Sequence, residues 1–369
     1  MQIKIVPYSA DGEDAARNLN QRLRAGGELE FQLPEHTPPE PPANALIRNS
    51  NFLAFEGEAV RGGFLLASFP AAFSDGQEAT VINCREPISE GTVDGRYSLL
   101  ALQLMKYMQQ QGPYLFALGM GSEQARFTRL LKSAGWTIEP VPFLFRVINA
   151  NRFVLNIKQL QNGSRRTLAL AAAWTGAAKI GITALQAKSI SAKWRANGYT
   201  IERVTSWGAW ADVLWERFRR TCSFCVKRDR ATLEELYNLG RDRSMAFLAK
   251  RSGTPVGWLA AQNTHFTDHK YFGAMRVATI LDCIALPEAI DATIALGSKE
   301  LARDRSDLIV TNQSFQGHID AFRANGFLKG PSNYILATSK GLTSAIASQP
   351  GGRKCTHFTR GDGDGRDHL

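Results

Sequence analysis

Cysteine is scarce in this sequence, with five residues in 369, an odd number without framework spacing. A disulfide-stapled scaffold is excluded, and a reducing cytoplasm is the expected compartment. A long apolar run is missing too. Residues 168–185 hold a single charge, Lys179, but their alanine and glycine content makes them a poor membrane span. The first residues, Met1-Gln2-Ile3-Lys4, lack the charged-then-apolar pattern of a signal peptide. No Walker loop and no dinucleotide-binding Gly-x-Gly-x-x-Gly follows a strand-like run. Histidine is also rare, and neither Cys84 nor Cys283 has a histidine near it in sequence, so both read as small buried apolar residues rather than nucleophiles.

What is present describes a globular protein of two ordinary domains, 44% hydrophobic and 21% charged. The formal charge of +10 is unevenly distributed. Residues 1–150 carry 13 basic and 16 acidic side chains, 151–260 carry 19 and 7, and 261–369 carry 12 and 11. The basic middle attracts anions: nucleotide phosphates, nucleic acid or an acidic membrane surface. Its densest run is Arg217-Phe218-Arg219-Arg220 with Lys227-Arg228-Asp229-Arg230, too poor in aromatics for a stacking platform.

The chain repeats itself. Ala79-Thr80-Val81-Ile82-Asn83-Cys84 returns as Ala278-Thr279-Ile280-Leu281-Asp282-Cys283, an offset of 278 − 79 = 199. Gly135-Trp136 returns as Gly326-Phe327 at 326 − 135 = 191, and the apolar runs 142–147 and 333–338 keep that second offset. Each copy reads as hairpin, strand, loop, helix, strand, glycine-ended helix and last strand, with 142–148 closing the first copy and 333–338 the second. In the helix near 99–111, Leu99, Leu102, Met105 and Met108 share one face. Between the copies, 151–203 hold nine basic side chains against Glu202 alone, which fits a packed helix or a basic amphipathic helix on a membrane surface. The glycine- and aspartate-rich end from Gln349 reads as disordered.

This order, with Gly63-Phe64, Gly257-Trp258, Gly135-Trp136 and Gly326-Phe327, resembles the GCN5-related N-acyltransferase (GNAT) family. The resemblance implies an α/β (α+β) chain of two tandem GNAT-like domains, each a mixed, mostly antiparallel twisted sheet flanked by helices. The expected division is 1–150, a basic helical linker 151–198, 199–342 and a disordered 343–369. Acetyl-CoA or another acyl-CoA is the implied co-substrate. Its arm would add to a splayed strand, and its pyrophosphate would face a helix N-terminus behind a loop of small residues. The first copy offers Ser89-Glu90-Gly91-Thr92-Val93-Asp94-Gly95-Arg96-Tyr97-Ser98 there; the second has Leu286-Pro287-Glu288-Ala289-Ile290-Asp291, without glycine and with two carboxylates. Cys84, Gly91, Gly95, Arg96, Tyr97 and Ser98 are therefore the expected cofactor-binding residues.

The tyrosine that the family often uses as acid is replaced by Phe127 and Phe322, leaving Tyr97 and Tyr334 as alternative hydroxyls and Glu90 and Asp282 as candidate bases. The Cys222-x-x-Cys225 pair has no second pair, and His265 and His269 fall in a hairpin loop, so neither predicts a metal site. The expected activity is transfer of an acyl group from CoA to an amine. By similarity to bacterial acyltransferases of cell-surface polysaccharide precursors, the acceptor would be an amino sugar, small or lipid-linked; the basic segment 151–203 would give peripheral contact to an anionic membrane. Two rivals stand beside this reading: a Fem-like transferase taking aminoacyl-tRNA, and a non-catalytic binding protein with both copies degenerate.

Overall fold

The computed structural model describes residues 2–85, 87–158, 177–187, 196–240 and 243–363. The chain divides into two compact units, each assembled from several segments. The first comprises Met1–Ala71, Glu78–Pro140 and Asn333–Ser348; the second comprises Ala72–Gln77, Val141–Ser332 and Gln349–Leu369.

The sheet of the first unit runs, in spatial order, Lys4–Pro7, Arg48–Glu56, Ala59–Phe73, Glu78–Cys84, Leu115–Leu118, Ile335–Thr338 and Thr137–Pro140. That of the second runs Tyr199–Val204, Ser244–Arg251, Thr254–His265, Arg276–Ala285, Leu308–Asn312, Phe143–Val147 and Leu328–Gly330. Position by position the two orders match. In each, one parallel pair stands in the middle, Glu78–Cys84 with Leu115–Leu118 and Arg276–Ala285 with Leu308–Asn312.

The last strands of the copies are exchanged. Residues 142–148, expected to close the first copy, supply Phe143–Val147 to the second sheet, where Thr311 faces Leu144. Residues 333–338, expected to close the second, supply Ile335–Thr338 to the first sheet, where Ala337 faces Ala117 and Ile138. The link Val141-Pro142 after Thr137–Pro140 explains why the chain does not turn back locally. A two-residue hairpin needs positive φ at its centre, whereas prolines at 140 and 142 hold the preceding residues extended. The domain boundaries expected at 150 and 199 are corrected accordingly.

Helices pack on both faces of each sheet. Leu100–Gln109 buries Leu100, Leu104, Met105 and Met108, so the face is rotated from the expected one and Leu99 is 67% exposed. These side chains meet Phe64, Ile82, Phe127, Leu131 and the imported Ile335 in one core. In the second unit Ile294 and Leu301 of Ile290–Arg303 pack with Leu259, Ile280, Phe322 and the imported Leu144. Both glycine-ended helices close alike. Gly135 and Gly326 have φ of 81° and 82°, and the N–H groups of Trp136 and Phe327 reach back to the carbonyls of Leu131 and Phe322 at 3.1 Å.

The sheet register corrects one part of the repeat. Gly62 faces Ser89 and Gly257 faces Ala285; Ile82 faces Leu115 and Ala278 faces Ile309. The last paired residues of the central strands, Asn83 with Phe116 and Ile280 with Thr311, lie 280 − 83 = 197 apart, two less than the offset read from the sequence. Counted from the point where pairing ends, Cys84 and Cys283 do not share a register position.

The expected disorder from residue 343 is also overturned across the described residues. Lys340–Ala347 is a helix, Thr356–His357 a short strand, and His357, Phe358 and Thr359 are wholly buried. The expected linker is described in part. Ala177–Ala187 is a helix whose Gln186 side chain pairs with the backbone N–H and carbonyl of Val147 at 2.8 and 3.1 Å. The rest of 168–185 lies outside the described residues. No helix among the described residues is long and apolar enough to cross a membrane.

Candidate active site

In the first unit the central parallel strands pair at two positions, Ile82 with Leu115 and Asn83 with Phe116, and then part. The outgoing strand continues through Arg85, whose N–H donates to the carbonyl of Leu65 (3.1 Å), to Ile88–Ser89. Residues 90–98 then make two tight turns. The Ser89 hydroxyl accepts from the N–H of Gly91, and the Asp94 carboxylate accepts from that of Arg96. The helix Leu100–Gln109 starts beyond them at Leu99 without a side-chain cap. Exposed Gly95, Arg96 and Ser98 surround this helix start. Its first-turn N–H groups and dipole favour an anion.

The two glycines differ in role. The α-carbon of Gly95 faces open space, whereas a Cβ on Gly91 would collide with the carbonyl oxygen of Tyr97. Gly91 thus permits the loop to close, and Gly95 leaves its outer surface accessible. Arg96 is tied to Asp94 at 2.6 Å on the exposed side.

The expected catalytic roles of Glu90 and Tyr97 are replaced by structural ones. The Glu90 carboxylate is buried between Arg22 (2.6 Å) and Arg61 (3.1 Å). The Tyr97 hydroxyl donates to Glu56 at 2.8 Å, with the Arg61 guanidinium 4.7 Å from its ring centroid. Burial and the Glu56 hydrogen bond raise the Tyr97 pKa. Together these groups fasten the loop to the Glu13–Ala25 helix and to the hairpin beneath it. Such pairing occupies the lone pairs that a base would need. Cys84 is 1% exposed and its thiol is pushed up to about 12 by burial, so it supplies neither nucleophile nor polar contact. Phe127 lies in the core, as its apolar character implies. Tyr334, by contrast, arrives with the exchanged segment, and its ring packs on Gly119 at the end of Leu115–Leu118.

Asp282, the other candidate base, sits in the second unit and is wholly buried. It accepts from Arg228 Nε at 2.5 Å and from the Tyr237 hydroxyl at 3.0 Å, while Arg228 also holds Asp362 at 2.5 Å. Burial alone would lower the Arg228 pKa, but Asp282 and Asp362 raise it. Asp282 is thus an ion-pair partner rather than a base. The basic run is dismantled likewise: Arg228 is buried, Arg217 pairs with Glu288, Arg219 with Glu216 and Arg230 with Glu234. Sequence reasoning missed the Arg22–Glu90–Arg61 and Asp282–Arg228–Asp362 clusters because their members lie far apart along the chain.

Two histidines adjoin the second cluster. His318 and His357 are fully buried with ring centroids 5.2 Å apart; His318 stacks on Phe218, and the other contacts of the two rings with Phe218 and Phe315 are edge-on. Burial, then His357, holds His318 well below its ordinary pKa. Burial likewise lowers His357, against the opposing effect of Asp282. A histidine with a lowered folded pKa binds its proton more readily when unfolded. Stability is therefore complete above about pH 6.5 and falls as pH drops below it, by up to about 1.4 kcal/mol per pH unit for each ring. We expect the urea midpoint of the second unit to fall between pH 7.5 and 5.5, and less so in His318→Phe. A midpoint constant over that window would refute the assignment.

The remaining sequence motifs carry structure. His269 Nδ1 accepts from the N–H groups of Tyr271 and Phe272 and shapes its loop. Cys222 and Cys225 are buried, and burial followed by Cys225 raises the Cys222 thiol well above its usual pKa. Among the described residues no group of three or more His, Cys, Asp or Glu could hold a metal ion.

No family model matches the sequence, and no curated protein does. Solved structures do match its fold. A GCN5-related N-acetyltransferase from Anabaena variabilis ATCC 29413 superposes with a TM-score of 0.50 at 11% identity, covering 91% of this chain and 72% of that one. A conserved protein of unknown function from Enterococcus faecalis V583 superposes with a TM-score of 0.52 at 11% identity, over 94% and 75%. A tandem GNAT protein from the clavulanic acid biosynthesis pathway gives 0.49 at 12% identity, over 92% and 99%. From the first of these matches and the repeated sheet order, the chain has the fold of the GCN5-related N-acetyltransferases, built twice.

Proposed function

We propose that the protein is an acyl-CoA-dependent N-acyltransferase whose co-substrate site lies in the first unit. One observation carries this reading: parted central strands lead into a loop, open at Gly95, that ends on an uncapped helix N-terminus. The parted edge suits the amides of the pantetheine arm, and the helix start suits its pyrophosphate. In the reaction the amine nitrogen bonds to the thioester carbonyl carbon, the carbon–sulfur bond breaks, the nitrogen releases one proton to water and the thiolate takes one from the acid. We assign the acid role to Tyr334, whose ring packs on Gly119 at the end of Leu115–Leu118 in the first unit. The narrower reading takes an amino sugar of a surface-polysaccharide precursor as acceptor, on the sequence resemblance, with peripheral membrane contact through the basic segment 151–203.

Ser98→Asp tests the site without disturbing the loop, because Ser98 is exposed beside the helix start. A carboxylate there repels phosphate and stabilises the helix. Acetyl-CoA affinity measured by calorimetry should drop at least about tenfold, equivalent to about 1.4 kcal/mol, while the melting temperature holds or rises. Equal affinity in both proteins would sink the site. Tyr334→Phe should bind acetyl-CoA normally but turn over an amine acceptor more slowly by a factor of about 10²–10⁴.

A further inference from the structure

The second unit has parted strands as well. Arg276–Ala285 and Leu308–Asn312 pair from Val277 with Leu308 to Ile280 with Thr311, and separate beyond. The opening is filled by residues 356–362 of the same chain. Thr359 bridges antiparallel to Gln313 on one wall. The Ser314 N–H donates to the Phe358 carbonyl at 3.1 Å, the Phe358 N–H donates to the Ser314 hydroxyl at 2.7 Å, and that hydroxyl donates to the Thr356 carbonyl at 2.8 Å. Arg360 Nε donates to Asn312 Oδ1 at 3.0 Å. On the opposite wall the His357 ring Nε2 lies 3.2 Å from the Cys283 carbonyl oxygen, and Asp362 is joined to Asp282 through Arg228. His357, Phe358, Thr359 and Asp362 have no exposed surface.

We propose that the segment 356–362 is a built-in occupant of the second unit's strand opening, holding the place that the acyl-CoA arm takes in the first, so that each chain binds one acyl-CoA. The proposal rests on the acyl-CoA reading of the first unit. Peptide backbone and pantetheine present the same amide donors and acceptors, so one can satisfy an edge shaped for the other. The helix start of this unit agrees independently. Glu288 precedes it and Asp291 stands in its first turn, where a pyrophosphate would meet carboxylates.

Hydrogen exchange of the full chain, with and without saturating acetyl-CoA, tests this alongside calorimetric stoichiometry. Without ligand, the amides of Phe358 and Thr359 should exchange on the order of a thousandfold more slowly than in an unstructured peptide. Acetyl-CoA should leave that protection unchanged, slow exchange around residues 95–102, and bind with a stoichiometry of one. Fast exchange without ligand, protection lost on adding acetyl-CoA, or a stoichiometry of two would each overturn the proposal. A protected tail with no acetyl-CoA binding at all would confirm the occupant and overturn the reading of the first unit instead.

Discussion

Cutting the chain after residue 150 should leave a first copy that does not fold cooperatively, although it holds every element that the repeat assigns to it. Its sheet would lack Ile335–Thr338, which lies between Leu115–Leu118 and Thr137–Pro140 and bonds to both. Ile335 and Leu336 are 1% and 3% exposed in the intact chain, and burying each contributes about 1.5–3 kcal/mol. The following helix Lys340–Ala347 adds buried Leu342 and Ile346 at a similar value each. The sum is comparable with the ~5–15 kcal/mol that holds a whole domain together. The strand Thr137–Pro140 would also lose its neighbour, leaving unpaired edges prone to aggregation. Joining 333–348 to Pro140 through a short Gly/Ser linker should restore a single sharp urea transition. A sharp two-state transition for 1–150 alone, with helix and strand content matching its share of the intact chain, would contradict the exchange.

The duplication and the fold were legible because they rest on local patterns: alternating strands, helical faces and two glycines that end helices. The exchange was not, because periodicity shows that 333–338 is a strand without showing which sheet receives it. The offset of the matched hexapeptides differs from that of the strand register for a related reason. Apolar alternation repeats every two residues, and the bulge between Ala260 and Ala261 shifts the pairing. At the site, residues 89–98 are legible as a loop before a helix, but the helix starts at Leu99 and Ser98 does not cap it. The failure of Glu90, Tyr97 and Asp282 as catalysts depends on Arg22, Glu56, Arg61 and Arg228, partners between 29 and 68 residues distant. Over 349–363 the chain is ordered despite its glycine and aspartate content, because Ser314, Asn312 and Arg228 supply hydrogen bonds to residues 358–362.

Arg228→Met should destabilise the second unit by about 3–5 kcal/mol, since it leaves two buried carboxylates facing each other without their cation. Asp282 and Asp362 are both wholly buried, so water cannot take over the role of the guanidinium. Urea denaturation followed by tryptophan fluorescence reads this directly. Trp207 stacks edge-on to Trp258 at 5.2 Å, and its indole N–H donates to the carbonyl of Tyr237, whose hydroxyl bonds to Asp282. Neutralising both acids in the same background, with Asp282→Asn and Asp362→Asn, should recover much of the loss, because a neutral cluster of similar volume has no buried charge to compensate. That recovery separates an electrostatic clamp from simple loss of packing, which added substitutions would only worsen. A loss below about 1 kcal/mol in Arg228→Met would show that the cluster is not fastening the tail. The clamp belongs to the second unit and the proposed acyl-CoA site to the first. Under conditions where Arg228→Met remains folded, acetyl-CoA affinity should therefore match that of the parent, separating what holds the tail from what binds the co-substrate.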